Sequence, residues 1–254
     1  MKTSNKQRRA RNSDGWRKNT GTTYKEPPTP FERGEGYTPE LIRRTHEAAD
    51  RGEAWALFNL GSSYRDGVNG ANGRVLVRKN RRTAVRYLEQ AVKLGYIDAM
   101  VALGSLLSED RDERGLARAA PYYRMAYRRG DHTAAFNLAC TYRSLGRHRE
   151  AVLWFRRALA AGDPSASMEI ARAELYGVGT RRNVRSAFAK LKAIAKRQST
   201  YWPPNTDRIE AILVMADALM DGWLVRRNFD DGLRWLRRAA ELGSEVAKAK
   251  LREG

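Results

Sequence analysis

The chain has 254 residues, with 48 Lys and Arg against 29 Asp and Glu, a formal net charge of +19. That balance points toward acidic partners, whether nucleic acid, an anionic lipid surface or an acidic protein, and is silent about fold. The single cysteine, Cys140, excludes an internal disulfide and places the chain in a reducing cytoplasm, and no apolar run is long enough to span a bilayer.

Residues 1–36 are rich in basic residues and poor in aliphatic ones, and they end in the Pro27-Pro28-Thr29-Pro30 cluster and several glycines. Such a segment buries too little apolar surface to offset the entropy of ordering, so it is expected to be a disordered basic arm. The ordered domain is expected over residues 37–254. It opens at Thr38-Pro39-Glu40, where Thr38 suits an N-cap and Pro39 the first helical position, with a capping helix running to Arg51.

Beyond that helix a repeat is marked by glycines that end helices, at Gly52, Gly95, Gly130, Gly162 and Gly243. Counting back four, seven, eight and eleven residues gives Ala91, Leu88, Tyr87 and Ala84 before Gly95, and Ala158, Phe155, Trp154 and Ala151 before Gly162. The same offsets before Gly130 and Gly243 give Ala126, Tyr123, Tyr122, Ala119 and Ala239, Leu236, Trp235, Gly232. This spacing is one stripe of a 3.6-residue helix, small where a neighbouring helix comes close and aromatic where a gap must be filled.

Counting forward finds a second stripe: Ala56, Leu60, Gly61, Tyr64; Ala99, Leu103, Gly104; Ala134, Leu138, Ala139, Tyr142; and Ala166, Ile170, Ala171. Ala211, Met215 and Ala216 continue it, and Ala247 and Leu251 form a closing half-repeat. Gly67, Gly146, Gly177 and Gly222 suit the ends of these helices.

The order small, Leu, Gly or Ala, Tyr, Gly, followed by a helix carrying Ala, an aromatic and Ala, resembles the tetratricopeptide superfamily over roughly residues 38–254. The third unit, from Asn137-Leu138-Ala139 through Tyr142, Gly146, Ala151 and Ala158, resembles an ordinary tetratricopeptide repeat. Units one, four and five are similar to the Sel-one-like branch, with Tyr176-Gly177-Val178-Gly179 as the clearest loop. Unit one departs by inserting Asn69 to Leu76, and unit two lacks the tyrosine and the loop glycine. The resemblance implies an all-α, right-handed α–α superhelical solenoid of about five hairpins.

No catalytic constellation is visible, and no cofactor or metal is expected. His46, His132 and His148 lie far apart without paired acids, and Cys140 falls within a helix stripe with no activating base nearby in sequence. Gly177 to Arg182 lacks the Lys-Ser/Thr pair of a phosphate loop, and the regular offsets of Trp154, Phe155 and Trp235 assign them to the core.

Two binding surfaces remain. In stacked hairpins the first helices face a concave groove, and the residues beside their core stripe are Asn59, Ser62, Arg65, Asn137, Arg143, Glu169 and Arg172. Asn59 and Asn137 share one repeat offset and, by the resemblance, match the asparagine with which tetratricopeptide clamps hold a peptide carboxylate; the accompanying lysines are not at matching offsets. The second surface is a basic rim formed by Arg78-Lys79-Asn80, Arg181-Arg182-Asn183 and Arg226-Arg227-Asn228, each asparagine suited to N-cap the helix after it. Arg81, Arg82 and Arg185 then occupy first turns, where the helix dipole disfavours positive charge.

The expected role is a non-catalytic scaffold that binds a protein or peptide through the groove. The alternative is a nucleic-acid-associated protein using the rim and the arm, where Arg8, Arg9, Arg11, Arg17 and Lys18 surround Trp16. Limited trypsin digestion of the native protein is expected to cut first between Arg8 and Lys18; protection of those sites in the free protein contradicts a disordered arm.

Overall fold

A computed structural model describes residues 37–196, 206–222 and 225–253. The expected arm and the Tyr201-Trp202-Pro203-Pro204 connection lie outside these residues.

The capping helix α1 spans Pro39–Asp50, and the Thr38 hydroxyl accepts a hydrogen bond from the Leu41 amide at 3.1 Å. Five hairpins follow, each a first helix packed on a second: α2 (Ala54–Asp66) with α3 (Arg81–Lys93), α4 (Ile97–Ser108) with α5 (Glu113–Arg128), α6 (Ala134–Ser144) with α7 (His148–Ala160), α8 (Ala166–Tyr176) with α9 (Val184–Lys196), and α10 (Thr206–Asp221) with α11 (Phe229–Glu241). Helix α12 (Glu245–Glu253) closes the stack.

Each helix packs on the one before and the one after it, which makes the architecture a solenoid. First helices also touch directly, α2 with α4 and α4 with α6, whereas no comparable contact joins successive second helices among the described residues. The first helices therefore line the inside of the curve and the second helices its outside.

The repeating small residues explain this packing. Ala56, Ala99, Ala134, Ala166 and Ala211 on the first helices, and Ala84, Ala119, Ala151, Ala187 and Ala239 on the second, are almost entirely buried. A methyl group at each contact lets helix axes approach toward the short end of the usual ~8–10 Å range. Leu60, Leu88, Leu103, Leu138, Ile170, Leu191, Met215 and Leu236 fill the spaces between, each with under 2 % of its surface exposed or close to it. Trp154 and Phe155 are buried with them, and Trp235 packs against the core from its edge.

The loops follow the repeat as well. Gly52, Gly95, Gly130, Gly162 and Gly243 all have positive φ, the left-handed backbone that follows α1 and the second helices of hairpins one, two, three and five. Inside the hairpins Gly67, Gly146, Gly177 and Gly222 also have positive φ; the loop between α4 and α5 of unit two has no glycine, and Arg111 takes the left-handed conformation instead, at φ 54°. The insertion in unit one forms a two-stranded antiparallel ribbon, β1 (Val68–Asn69) with β2 (Val75–Val77), the only strands among the described residues. It is a small addition to an otherwise helical chain.

Gly179 combines two demands. Its φ is 71°, and a β-carbon there would stand 2.2 Å from the backbone oxygen of His148, at the start of α7. The loop of unit four is thereby pressed against unit three. Gly162 has positive φ but open space around it. Chemical denaturation of Gly162→Ala is expected to show the left-handed backbone cost alone, about 1–2 kcal/mol, and Gly179→Ala a clearly larger loss, because backbone must move there.

Candidate functional site

The inner face is built by the first helices. Asn59 on α2 and Asn137 on α6 occupy equivalent positions, both partly exposed, and neither side-chain amide has a hydrogen-bond partner among the described residues. Both amides reach solvent, so their hydrogen-bonding capacity is available to a ligand. Ser62 is partly buried one turn farther along α2, and Arg65 turns to Asp66 of its own helix at 2.7 Å. That pairing draws the Asp66 carboxyl below its usual range.

Arg143, Glu169 and Arg172 behave as a set. Arg143 on α6 pairs with Glu169 on α8 at 2.5 Å, and Arg172 on α8 pairs with Glu210 on α10 at 2.6 Å. Glu169 holds the Arg143 guanidinium above its ordinary value. The two pairs make a ladder across three successive first helices, so these arginines hold neighbouring repeats in register as well as facing the groove. Both pairs are half exposed and each adds little to stability, under about 1 kcal/mol.

Beside the ladder lies a recess of about 210 Å³, lined by Val152 and Phe155 of α7 and by Ala173, Tyr176 and Val178. Arg143, Glu169, Arg172 and His148 complete its lining. Tyr176 and Val178 are unusually exposed for large apolar residues, at 46 % and 44 %. The recess was hidden in sequence because its parts come from three helices and a loop; the readable signal was a loop that leaves Tyr176 and Val178 without a place in either stripe.

On the rim, Asn80, Asn183 and Asn228 cap their helices as expected, accepting from Thr83, Ser186 and Asp231 amides at 3.0, 3.0 and 3.1 Å. The loops return in the same way in all three units, with each asparagine amide donating to the preceding helix, at Tyr64, Glu174 and Leu219. Arg78, Lys79, Arg181, Arg182, Arg226 and Arg227 are all exposed. Units four and five are neighbours, but units two and three separate them from unit one, so the three basic pairs are not contiguous. Arg181 and Arg182 line a polar recess of about 530 Å³ together with Arg156, Thr180 and Glu174. Glu174 is buried and paired with Lys190 across the hairpin at 2.8 Å.

Arg81 has a structural reason for its place in a first turn. It donates to the Leu106 carbonyl at 2.7 Å and pairs with Asp110 at 3.0 Å, so it caps the C-terminal end of α4. Arg129 and Arg208 do the same for the carbonyls of Gly95 and Ala195, at 3.1 and 2.7 Å.

Of the histidines, His46 packs edge-on to Tyr64 and Tyr87, His132 packs against Tyr127, and His148 is exposed. No group of His, Cys, Asp or Glu able to hold a metal ion occurs among the described residues. No helix among them is long and apolar enough to cross a membrane.

The Sel1 repeat matches residues 56–96, 97–131, 164–189 and 209–244, which together make up more than half of the chain and coincide with hairpins one, two, four and five. The chain belongs to the Sel1 repeat family. Residues 132–161, the third hairpin, match a tetratricopeptide repeat instead, so this Sel1 protein carries one tetratricopeptide unit at its centre. The fold is shared with a protective antigen of uropathogenic Escherichia coli that displays an SLR fold, at a TM-score of 0.60 and 22% identity, covering 85% of this chain and 44% of that one. It is also shared with a Sel1 repeat protein from Oxalobacter formigenes, at a TM-score of 0.55 and 24% identity, covering 83% of this chain and 81% of that one. The chain thus spans less than half the length of the Escherichia coli protein. No curated protein matches the sequence.

Cys140 lies on the inner face between these features, partly buried, with its thiol pushed up to about 11 by burial and only partly offset by Arg143. It is protonated at neutral pH and a poor nucleophile. Alkylation by iodoacetamide near neutral pH is expected to run on the order of a hundredfold slower in the native protein than after unfolding.

Proposed function

We propose that this Sel1 protein is a non-catalytic scaffold whose concave face holds an extended segment of a protein partner. The family consists of repeats that mediate protein–protein contact and are usually non-catalytic. The observation that supports this reading most strongly is the inner face itself: two equivalent asparagines with unused amides and, beside the arginine ladder, a largely apolar recess whose lining includes Arg143 and Arg172. Asparagine side chains suit the donors and acceptors of a peptide backbone, and the recess suits one apolar side chain. A partner segment carrying an acidic residue beside its apolar one would compete for the arginines now paired with Glu169 and Glu210. We place the protein in the cytoplasm, consistent with its single cysteine.

Panning a displayed peptide library against the full chain tests this. Selected peptides are expected to bind Asn59→Ala/Asn137→Ala and Ala173→Phe variants at least tenfold more weakly, with the helical signal unchanged. The rim variant, with Arg78, Lys79, Arg181, Arg182, Arg226 and Arg227 replaced by Gln, is expected to bind them as the parent does. Peptides insensitive to both groove variants would exclude the inner face as the binding surface.

A further inference from the structure

The charge of this protein is unevenly distributed between its two faces. The second helices of the five hairpins, α3, α5, α7, α9 and α11, carry 18 Lys and Arg against 6 Asp and Glu; the first helices, α2, α4, α6, α8 and α10, carry 4 against 8. A charge serving solubility alone has no reason to collect on one set of helices.

It also has a register. Opposite the buried stripe of each second helix lie four positions spaced by four, three and four residues, which are 82, 86, 89 and 93 in the first hairpin and 185, 189, 192 and 196 in the fourth. Over five hairpins these twenty positions hold twelve Lys or Arg and three acidic residues, and nearly all are exposed. At least one cation in every hairpin forms no ion pair and no hydrogen bond: Arg82, Arg128, Arg149, Arg185, Lys192 and Arg237. The outside of the solenoid is therefore a row of basic stripes over the first four repeats, while in the fifth Arg234 and Arg237 are balanced by Asp230 and Glu241.

We propose that this convex face binds the phosphate backbone of double-stranded nucleic acid without reading its sequence. A row of evenly repeated cations matches a polymer whose charges are also evenly repeated, and arginine, which predominates here, meets phosphate through two parallel donors. The rest of the stripe narrows the choice. It holds no aromatic residue on which an unpaired base could stack, so it suits a duplex rather than a single strand. Its one large apolar residue is Leu153, too little to insert into a membrane or to anchor a protein interface. This face is separate from the groove, and the two can be occupied together.

Fluorescence anisotropy of the full chain with a labelled mixed-sequence DNA duplex tests the proposal, with salt varied between about 50 and 200 mM. The parent is expected to bind, with log K falling linearly in log salt. The variant Arg82→Gln/Arg149→Gln/Arg185→Gln/Arg237→Gln is expected to lose at least tenfold in affinity at the lower salt and to reduce the salt slope by about three to four. Asn59→Ala/Asn137→Ala is expected to change neither. The proposal is overturned if the parent does not bind duplex at low salt. It is equally overturned if the fourfold variant binds as well as the parent, which would move binding off the convex face to the rim or the first 36 residues. Tighter binding to phosphatidylserine vesicles or polyglutamate than to the duplex would overturn it in favour of those partners.

Discussion

The close approach of one helix to the next through alanine is the contact on which this structure rests. Ala84, Ala119, Ala151 and Ala187 sit where a first helix crosses a second, and each is fully or almost fully buried. An alanine contributes little apolar area of its own, so the stabilisation comes from what the short distance permits: leucine, isoleucine and methionine on both sides reach across and pack densely. Gly61 and Gly104 extend the principle. A β-carbon at Gly104 would stand 2.9 Å from the Tyr123 ring, and one at Gly61 would stand 2.7 Å from Leu88. Once the crossing is fixed, the loops have little choice, and their left-handed glycines follow from the need to reverse direction within a few residues.

Arginine does two kinds of work in this protein, and the structure separates them. One group is structural: Arg81, Arg129 and Arg208 satisfy carbonyls at the ends of neighbouring helices, while Arg143 and Arg172 tie successive first helices through glutamates. These side chains span repeats, where the apolar core alone would allow sliding. The other group faces water from the second helices without partners. Net charge alone does not distinguish the groups, because both count equally toward +19.

Most of the fold was legible in the sequence because the repeat states each position several times. A stripe seen once is ambiguous, but a small residue, an aromatic and Ala at the same offsets before four glycines leave only one arrangement. The three asparagine caps were legible for the same reason. What escaped the sequence depends on contacts between units. Arg81 reads as a misplaced charge until the end of α4 is seen beside it, and the recess at Phe155 needs α7 and α8 side by side. The ribbon of unit one is a local exception: Val75-Leu76-Val77 has the β-branched character of a strand, but an insertion appears only once and has no second copy to confirm its pattern.

The pattern of neighbour-only contacts has a consequence for how such a protein changes over evolutionary time. In a globular domain an added hairpin must find room in a core already filled. Here, among the described residues, the helix contacts of each hairpin are essentially with the one before it and the one after it, so gaining or losing a unit leaves the other interfaces as they were. Length becomes an adjustable quantity, changed in whole hairpins. The size of the surface offered to a partner can grow or shrink in the same steps, without any single position having to be redesigned.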